Sequence, residues 1–245
     1  MNHQFSRMNQ LAKSKTMYRR ALLEFYNRYE SKTRQSLINI ISKEDTRYDY
    51  EIVVAHYREN LDWLEPYGSL VTLYHKSDYQ DFPTWIDSSR IITLENIGRE
   101  SHTYLTHILE RWDTLAPWTF FTQGGFNDHW YNGEVLPPSY YIFGGTVEGR
   151  YYTANLNCHR LGLPNGDNSQ HFERWWNSLK ITPNPFKNYE NQFQWAPGGF
   201  FTVHRDLIKS RPREFYQNIL DTLQGNDPIS GHYCERSWKY IFNFY

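Results

Sequence analysis

The stretch Ile91–Gly125 constrains the fold more than any other part of the chain. It begins with a short apolar run and a polar turn. Apolar residues then recur at helical spacing from about Ser101: Tyr104, Leu105, Ile108, Leu109 and Trp112. The aromatic and β-branched residues of Trp118–Thr122 predict a second strand. A helix between two strands in so few residues indicates a βαβ unit, whose sheet binds ligands at the carboxyl ends of its strands. The turns at Gly98–Glu100 and Gln123–Gly125 are therefore the first candidates for a site.

The preceding segment extends this unit into a larger sheet. Glu51–His56 contains four consecutive apolar residues, as expected of a strand buried on both faces. It runs into Tyr57–Asn60 and a short helical stretch, an arrangement in which free backbone N–H groups can face a ligand. Leu70–His75 and Ile91–Leu94 are the next strands. The order β-α-β-β-α-β predicts an α/β fold with a half-Rossmann, mixed but mostly parallel sheet flanked by helices.

The remaining segments divide the chain into a basic arm and one domain. Residues 1–49 are polar, lean basic and predict a partly helical arm, and the domain covers residues 50–245. Within it, residues 126–191 are rich in proline, glycine and aromatic pairs, with one helical segment at His171–Leu179. A loop-rich insertion of this length is typical of a binding region, and we expect it on the acceptor side of a cleft.

Regular structure is predicted to return near the carboxyl end of the chain. The strand Phe200–His204 is followed by a helix from Asp206 that restarts at Pro212. Asn226–His232 reads as a turn, and Tyr233–Phe244 reads as a final helix.

Composition narrows the classes of function. A net charge of -1 gives no electrostatic case for nucleic acid, although the basic arm alone could be argued to bind it. Two cysteines make neither a disulfide framework nor a structural zinc site. No apolar run is long enough for a transmembrane segment, so a soluble cytoplasmic protein is expected. The 18% aromatic content fits packing, and also stacking on sugars or bases.

Four blocks of sequence carry a resemblance to known proteins. VVAHYREN, GRESHTYLTHI, FFTQG and the pattern GGFFTVHRDLIKSRPREFY…ERSWKYIF together resemble an uncharacterised fungal and bacterial domain-of-unknown-function family that is similar to GT-A glycosyltransferases. The last block is also similar in layout to the end of core-2 branching enzymes and peptide O-xylosyltransferases. The likeness covers about Glu51–Gln123 and Gln194–Phe242. It implies a GT-A-like fold and transfer of a sugar from a nucleotide-sugar donor to a hydroxyl acceptor, such as a carbohydrate.

The resemblance also implies roles for individual residues. Glu235 stands where the similar enzymes place the carboxylate base that takes the acceptor proton. The residues expected to bind the donor are Tyr57, Arg58, Glu59, Asn60, Gly98, Arg99, Glu100, Gln123, Gly124 and Arg236. The residues expected to bind the acceptor are Trp195, Gly198, Gly199 and His232.

The sequence departs from the usual GT-A pattern at the position of the metal-binding motif. Gln123-Gly124-Gly125 stands where most of these enzymes carry Asp-x-Asp, and the nearest ligand types are Asp128 and His129. This departure favours a metal-independent reaction in which Arg or Lys side chains neutralise the diphosphate. The resemblance implies that the reaction is inverting. No cofactor is expected, although a divalent metal stays open.

Each assignment has a structural alternative. Glu235 and Arg236 could simply begin the last helix, and Arg99-Glu100 could fix a turn by pairing with a backbone or with the Arg58-Glu59 loop. The alternative for the whole chain is a non-catalytic module that binds carbohydrate or nucleotide.

Overall fold

A computed structural model describes residues 50–125, 152–154, 159–160, 169–180, 194–195 and 198–242. Residues 152–154, 159–160, 169–170 and 194–195 are described by their backbone alone. The predicted arm at residues 1–49 and most of the predicted insertion at residues 126–191 lie outside the described residues.

The strands are β1 (Tyr50–His56), β2 (Val71–His75), β3 (Ile91–Thr93), β4 (Trp118–Gln123), β5 (Tyr152–Ala154), β6 (His159–Arg160), β7 (Gln194–Trp195) and β8 (Phe201–His204). Within the described residues, the main sheet has six strands in the order β3-β2-β1-β4-β8-β5, and β6 pairs with β7 separately. Strands β3, β2, β1 and β4 are mutually parallel, and β8 is antiparallel to both of its neighbours. The sheet is therefore mixed and mostly parallel.

The helices are α1 (Arg99–Glu110), α2 (Ser169–Ser178), α3 (Arg205–Ile208), α4 (Arg213–Leu220) and α5 (Ile229–Ile241). Two 3₁₀ segments, Asp62–Leu70 and Ser88–Arg90, precede β2 and β3. No helix among these described elements combines the length and apolar character needed to span a membrane.

Alternate residues of the strands serve two separate cores, because successive side chains of a strand point to opposite faces of the sheet. Val53 and Phe121 face the helical side, where Tyr104 of α1 and Trp238 of α5 pack against them. On the other face, Ile52, Val54, Leu73 and Phe120 pack against the first 3₁₀ segment. Burial on both faces explains the nearly continuous apolar runs of β1 and β4.

The predicted fold class is confirmed as a mixed α/β arrangement with a mostly parallel sheet between helical layers. Several boundaries differ. Helix α1 begins at Arg99, two residues before the periodic pattern does, and β5 lies within the predicted insertion yet joins the main sheet. The predicted turn Asn226–His232 is wrong from Ile229 onward, because α5 begins directly after Pro228, whose fixed φ suits a helix start.

The turn before α1 depends on a glycine that has no room for a side chain. Gly98 has φ +62°, and a Cβ placed there would lie 2.7 Å from the Cβ of His102 and 2.9 Å from the Cβ of Leu223. Its N–H donates to the carbonyl oxygen of Gly225 at 2.7 Å. Gly225 also has a positive φ of +81°, but a Cβ there would meet nothing within 4 Å.

Alanine substitutions at these two glycines distinguish the cost of backbone strain from the cost of steric overlap. We expect Gly225→Ala to cost about 1–2 kcal/mol, the usual penalty for a left-handed non-glycine residue. Gly98→Ala adds overpacking against α1 and Leu223, so its total cost should be roughly 3 kcal/mol or more. Urea unfolding followed by circular dichroism measures both values. Equal costs for the two variants would contradict the close packing of Gly98.

Candidate functional site

Parallel pairing brings three chain segments together at the carboxyl edge of the sheet. Ala55 of β1 is in register with Gln123 of β4, and His56 is in register with His75 of β2. The pairing continues beyond the strands, because the Gly124 N–H donates to the carbonyl of Ala55 at 2.9 Å. Open α/β sheets bind ligands where the strand order reverses, which here is between β1 and β4. The segments that follow these strands therefore form the candidate site.

Glu235 lies on the second turn of α5 and reaches toward the end of β4. Its Oε1 accepts the Gly198 N–H at 2.9 Å, and the Gln123 side-chain amide donates to the Gly198 carbonyl at 2.9 Å. The backbone of Gly198 thus connects Glu235 to β4. Arg236 Nη1 lies 3.4 Å from Glu235 Oε2, and the Glu235 side chain keeps 14% of its surface exposed. The carboxylate is held in place while it stays accessible to solvent.

A second carboxyl group, that of Glu100, is buried beside the same glycines. A Cβ on Gly199 would lie 3.2 Å from Glu100 Oε1, so the two approach closely because Gly199 has no side chain. Burial raises the pKa of Glu100, the guanidinium of Arg99 opposes that rise, and the charge of Glu235 adds to it. Glu100 therefore has a stronger tendency to stay protonated than an ordinary surface glutamate.

Arg99 places a cationic side chain in the site, and its backbone conformation is strained. It has φ +53°, in the left-handed region that a non-glycine residue seldom occupies. Its Nη1 lies 3.0 and 2.9 Å from the two ring nitrogens of His232 and 3.4 Å from Asp227, and its Nε lies 3.6 Å from Glu100. Its side chain is 29% exposed. Strain of this kind tends to persist where function requires it.

His232 is an acceptor for Arg99 in this arrangement. Burial lowers the pKa of His232, and the nearby Arg99 lowers it further, while Asp227 opposes both effects. A neutral imidazole has one nitrogen lone pair to receive the guanidinium proton. The first turn of α5 is thereby tied to the turn before α1.

Lys76 is a site residue that the sequence prediction missed. Its side chain is buried, and its Nζ donates to the carbonyls of Ile97 at 2.7 Å and Arg99 at 2.6 Å. Burial lowers its pKa to about 8, and Glu100 opposes that shift. The ammonium group therefore fixes the strained turn that carries Arg99. A lysine directly after a buried strand was the signal that could have identified it.

The loop after β1 holds the four remaining donor-side residues, each in a different setting. Tyr57 is 43% exposed, and Arg58 pairs with Asp78 at the surface. Glu59 Oε2 accepts the N–H groups of Tyr57 at 2.7 Å and Arg58 at 3.1 Å, and it packs against Gly124. Asn60 Oδ1 accepts the N–H of Asp62, the first residue of the first 3₁₀ segment, at 2.7 Å. Tyr57 is thus the member with an exposed aromatic ring, and the exposed Tyr79, also missed by the prediction, follows the next strand.

The structure bears on one structural alternative for the charged pairs. Glu235 and Arg236 do not begin the last helix, which starts at Ile229. Arg99 contacts His232 of α5, Asp227 and Glu100. Arg236 is nearly buried and contacts the carbonyl of His232 at 3.0 Å. Trp195 lies in β7, and the structure describes its backbone alone.

Other chemistries find little support among the described residues. No group of three or more His, Cys, Asp and Glu side chains there could hold a metal ion, and Asp128 and His129 lie outside that part of the chain. Burial raises the pKa of Cys234, which leaves an inert thiol. An open depression of about 440 Å³ lies between α2 and α5, near Trp175 and Ile229, but neither Glu235 nor Arg99 lines it.

The strain at Arg99 can be measured with two substitutions that both remove the guanidinium. Arg99→Ala keeps the left-handed penalty, whereas Arg99→Gly relieves it. We expect the glycine variant to be more stable than the alanine variant by about 1 kcal/mol, as judged from chemical denaturation. Because both variants lose the same side-chain contacts, equal stability would mean that no strain is stored at this position.

Comparison with known proteins returns one family match. A family model described as "Protein of unknown function (DUF3431)" matches residues 52–141. The match contains Tyr57–Asn60, Gly98–Glu100 and Gln123–Gly124, and it ends before Gly198 and α5. No curated protein and no solved structure matches the chain. The sequence expectation of an uncharacterised domain family agrees with this finding, which assigns no activity.

Proposed function

We propose that this protein is a GT-A-like glycosyltransferase that moves a sugar from a nucleotide-sugar donor to a hydroxyl acceptor, with Glu235 as the general base. The observation that carries the proposal is the setting of Glu235. Its carboxylate is oriented by the Gly198 N–H, keeps part of its surface exposed, and lies at the carboxyl edge of the parallel strands. A general base must be positioned and accessible, and this group is both.

The neighbouring cation supports the donor half of the proposal. Departure of a nucleoside diphosphate develops negative charge, which a positioned guanidinium can stabilise. Arg99 is partly exposed and close to the same helix. Arg236 is less accessible, with 9% of its side chain exposed, so we give it the role of orienting Glu235.

The strand order is consistent with a nucleotide at this edge. Nucleotide-binding halves of doubly wound folds use the parallel order 3-2-1-4, which β3-β2-β1-β4 reproduces. In that case the exposed ring of Tyr57 stands at the switch point between β1 and β4, where it can stack on a base or a sugar. His232, Gly198 and Gly199 are left to shape the acceptor side.

The role of Glu235 is tested by a substitution that preserves its hydrogen bond. Glu235→Gln keeps an oxygen that can accept the Gly198 N–H but removes the base, so we expect transfer to fall roughly 10²–10⁴-fold. The melting temperature should change little. Turnover is measured as release of the nucleoside diphosphate in the presence of candidate hydroxyl acceptors.

Glu214→Gln is a matched control, because Glu214 is an exposed glutamate on α4. It should leave both turnover and stability unchanged. Full turnover in Glu235→Gln would remove the assignment of the base.

Donor binding is tested separately by thermal shift against UDP-, GDP- and dTDP-sugars. A ligand at one hundred times its dissociation constant stabilises the native state by about 2.7 kcal/mol, which raises the melting temperature by several degrees. We expect such a rise in the native chain and in Glu235→Gln, and a smaller one in Arg99→Gly. A rise with free sugars but not with nucleotides would instead favour a carbohydrate-binding module.

A further inference from the structure

Two buried histidines lie side by side where β1 and β2 end. His56 and His75 are register partners on the two parallel strands, and they are 3% and 2% exposed. Their Nδ1 atoms are 3.1 Å apart, which is a hydrogen-bond distance. Phe82 packs edge-on against both rings, with centroid separations of 4.9 Å to His75 and 6.5 Å to His56. The number of protons on this pair follows from the partners of the two Nε2 atoms.

The Nε2 of His56 must carry a proton. It lies 3.1 Å from the carbonyl oxygen of Glu59, and a carbonyl oxygen can only accept. His56 is therefore the donor in this contact.

The Nε2 of His75 must carry one as well. It lies 3.2 Å from the Oγ of Ser77. The single hydroxyl proton of Ser77 is donated to the carbonyl of Tyr57 at 2.7 Å, and the Ser77 oxygen also accepts the N–H of Tyr79 at 3.1 Å. Ser77 has no second proton to give, so His75 is the donor to its oxygen.

A neutral imidazole has one ring proton, and in both rings that proton is on Nε2. Without a further proton, two Nδ1 lone pairs would face each other at 3.1 Å in a buried site. We infer that His56 and His75 share one additional proton between their Nδ1 atoms, as an imidazole–imidazolium pair, and that this proton makes the loop after β1 sensitive to pH. The inference does not depend on the proposed function.

Charges around the pair favour one extra proton and oppose a second. Glu59 Oε2 lies 3.9 Å from His56 Nε2, and the charges of Asp78 and His75 attract each other. Arg58 pairs with Asp78, and the Lys76 ammonium is directed to carbonyls of the turn before α1. Burial is the largest effect and lowers the pKa of His56 overall, Glu59 opposes this shift, and a charge on His75 lowers the pKa again. Two positive rings in contact are therefore disfavoured. The shared proton follows from the hydrogen-bond partners of the ring nitrogens and not from this shift.

A metal ion between the two Nδ1 atoms is the competing explanation, because both Nε2 atoms have the oxygen acceptors that metal-binding histidines use. A stable site needs more protein ligands than these two. No third His, Cys, Asp or Glu completes a ligand group within the described residues. The proton is therefore the better assignment, and the metal is an outcome of the test.

The consequence of the shared proton is local to the Tyr57–Asn60 loop. His56 donates directly to the carbonyl of Glu59, and His75 reaches the carbonyl of Tyr57 through Ser77. When the proton is lost, one ring must change its tautomer or turn, and one of these two contacts breaks. The loop should then loosen as the pH rises.

The proton count is measured directly by ring ¹⁵N and ¹H NMR of the full chain, treated with a chelator, between pH 5 and 9. At pH 7.5 we expect protonated Nε2 in both rings and Nδ1 shifts midway between the protonated and bare values. A total of only two ring protons, one on each Nε2, at that pH would overturn the inference. So would a stoichiometric metal found in untreated protein by elemental analysis.

Linkage between protonation and folding gives a second test in the same pH range. Unfolded histidines titrate near pH 6.5. Below that pH the unfolded pair binds more protons than the native pair, so stability rises with pH. Above that pH the native pair binds more protons than the unfolded pair. The contribution of the pair to the folding equilibrium constant should therefore fall up to tenfold per pH unit. Two neutral rings would show no such fall.

The measured quantity is the stability of the native chain minus that of His75→Gln at each pH. The subtraction matters because Lys76, with its pKa lowered to about 8, makes the chain more stable as the pH rises above 8. His171→Gln, at an exposed position on α2, is the control. Its stability relative to His75→Gln should still decrease as the pH rises above about 6.5. A difference that stays flat from pH 7 to 9 overturns the inference, and NMR of the native chain decides if His75→Gln does not fold.

Discussion

The parallel pairing of β1 with β2 on one side and β4 on the other is the constraint on which the rest of the structure depends. Its register aligns the ends of three strands, so that Ala55 meets Gln123 and His56 meets His75. A slip of one residue would exchange the two faces of β1 and remove Val53 from the helical core. Burial on both faces therefore fixes the register, and the register in turn fixes which polar groups meet at the edge of the sheet.

Glycines allow charged side chains to approach the backbone closely at that edge of the sheet, and several of these side chains are buried. Gly199 lets the carboxyl of Glu100 come near, and Gly124 does the same for Glu59. The buried Lys76 ammonium then holds the turn in which Arg99 has a positive φ. A desolvated lysine, a buried glutamate and a strained arginine each cost stability. Their concentration around one turn supports the proposal of a functional site there.

The sequence predicts β1–β4, β8, the fold class and α1 well, because strands buried on both faces read as apolar runs and a helix buried on one face leaves a helical period. It fails where distant segments decide the outcome. Lys76 reads as a surface residue until the turn before α1, some twenty residues later, covers it. Asn226–His232 has turn composition, but its second half is helical because Arg99 and Ser101 of α1 contact it. The histidine pair depends on register, which the sequence leaves open until the neighbours of β1 are known.

Under the proposed function, an anionic donor would approach the two carboxyl groups near Gly198 and Gly199. Glu100 is buried, and burial raises its pKa, so the neutral form is favoured there. Glu235 is partly exposed and accepts a backbone N–H. A protonated Glu100 leaves the pair with less negative charge than two carboxylates would carry. In the proposed reaction, a diphosphate approaching Arg99 would then meet less repulsion, and Glu235 is the carboxyl group of the two that keeps access to solvent. This difference in burial between the two glutamates is the property that the proposed group transfer would use.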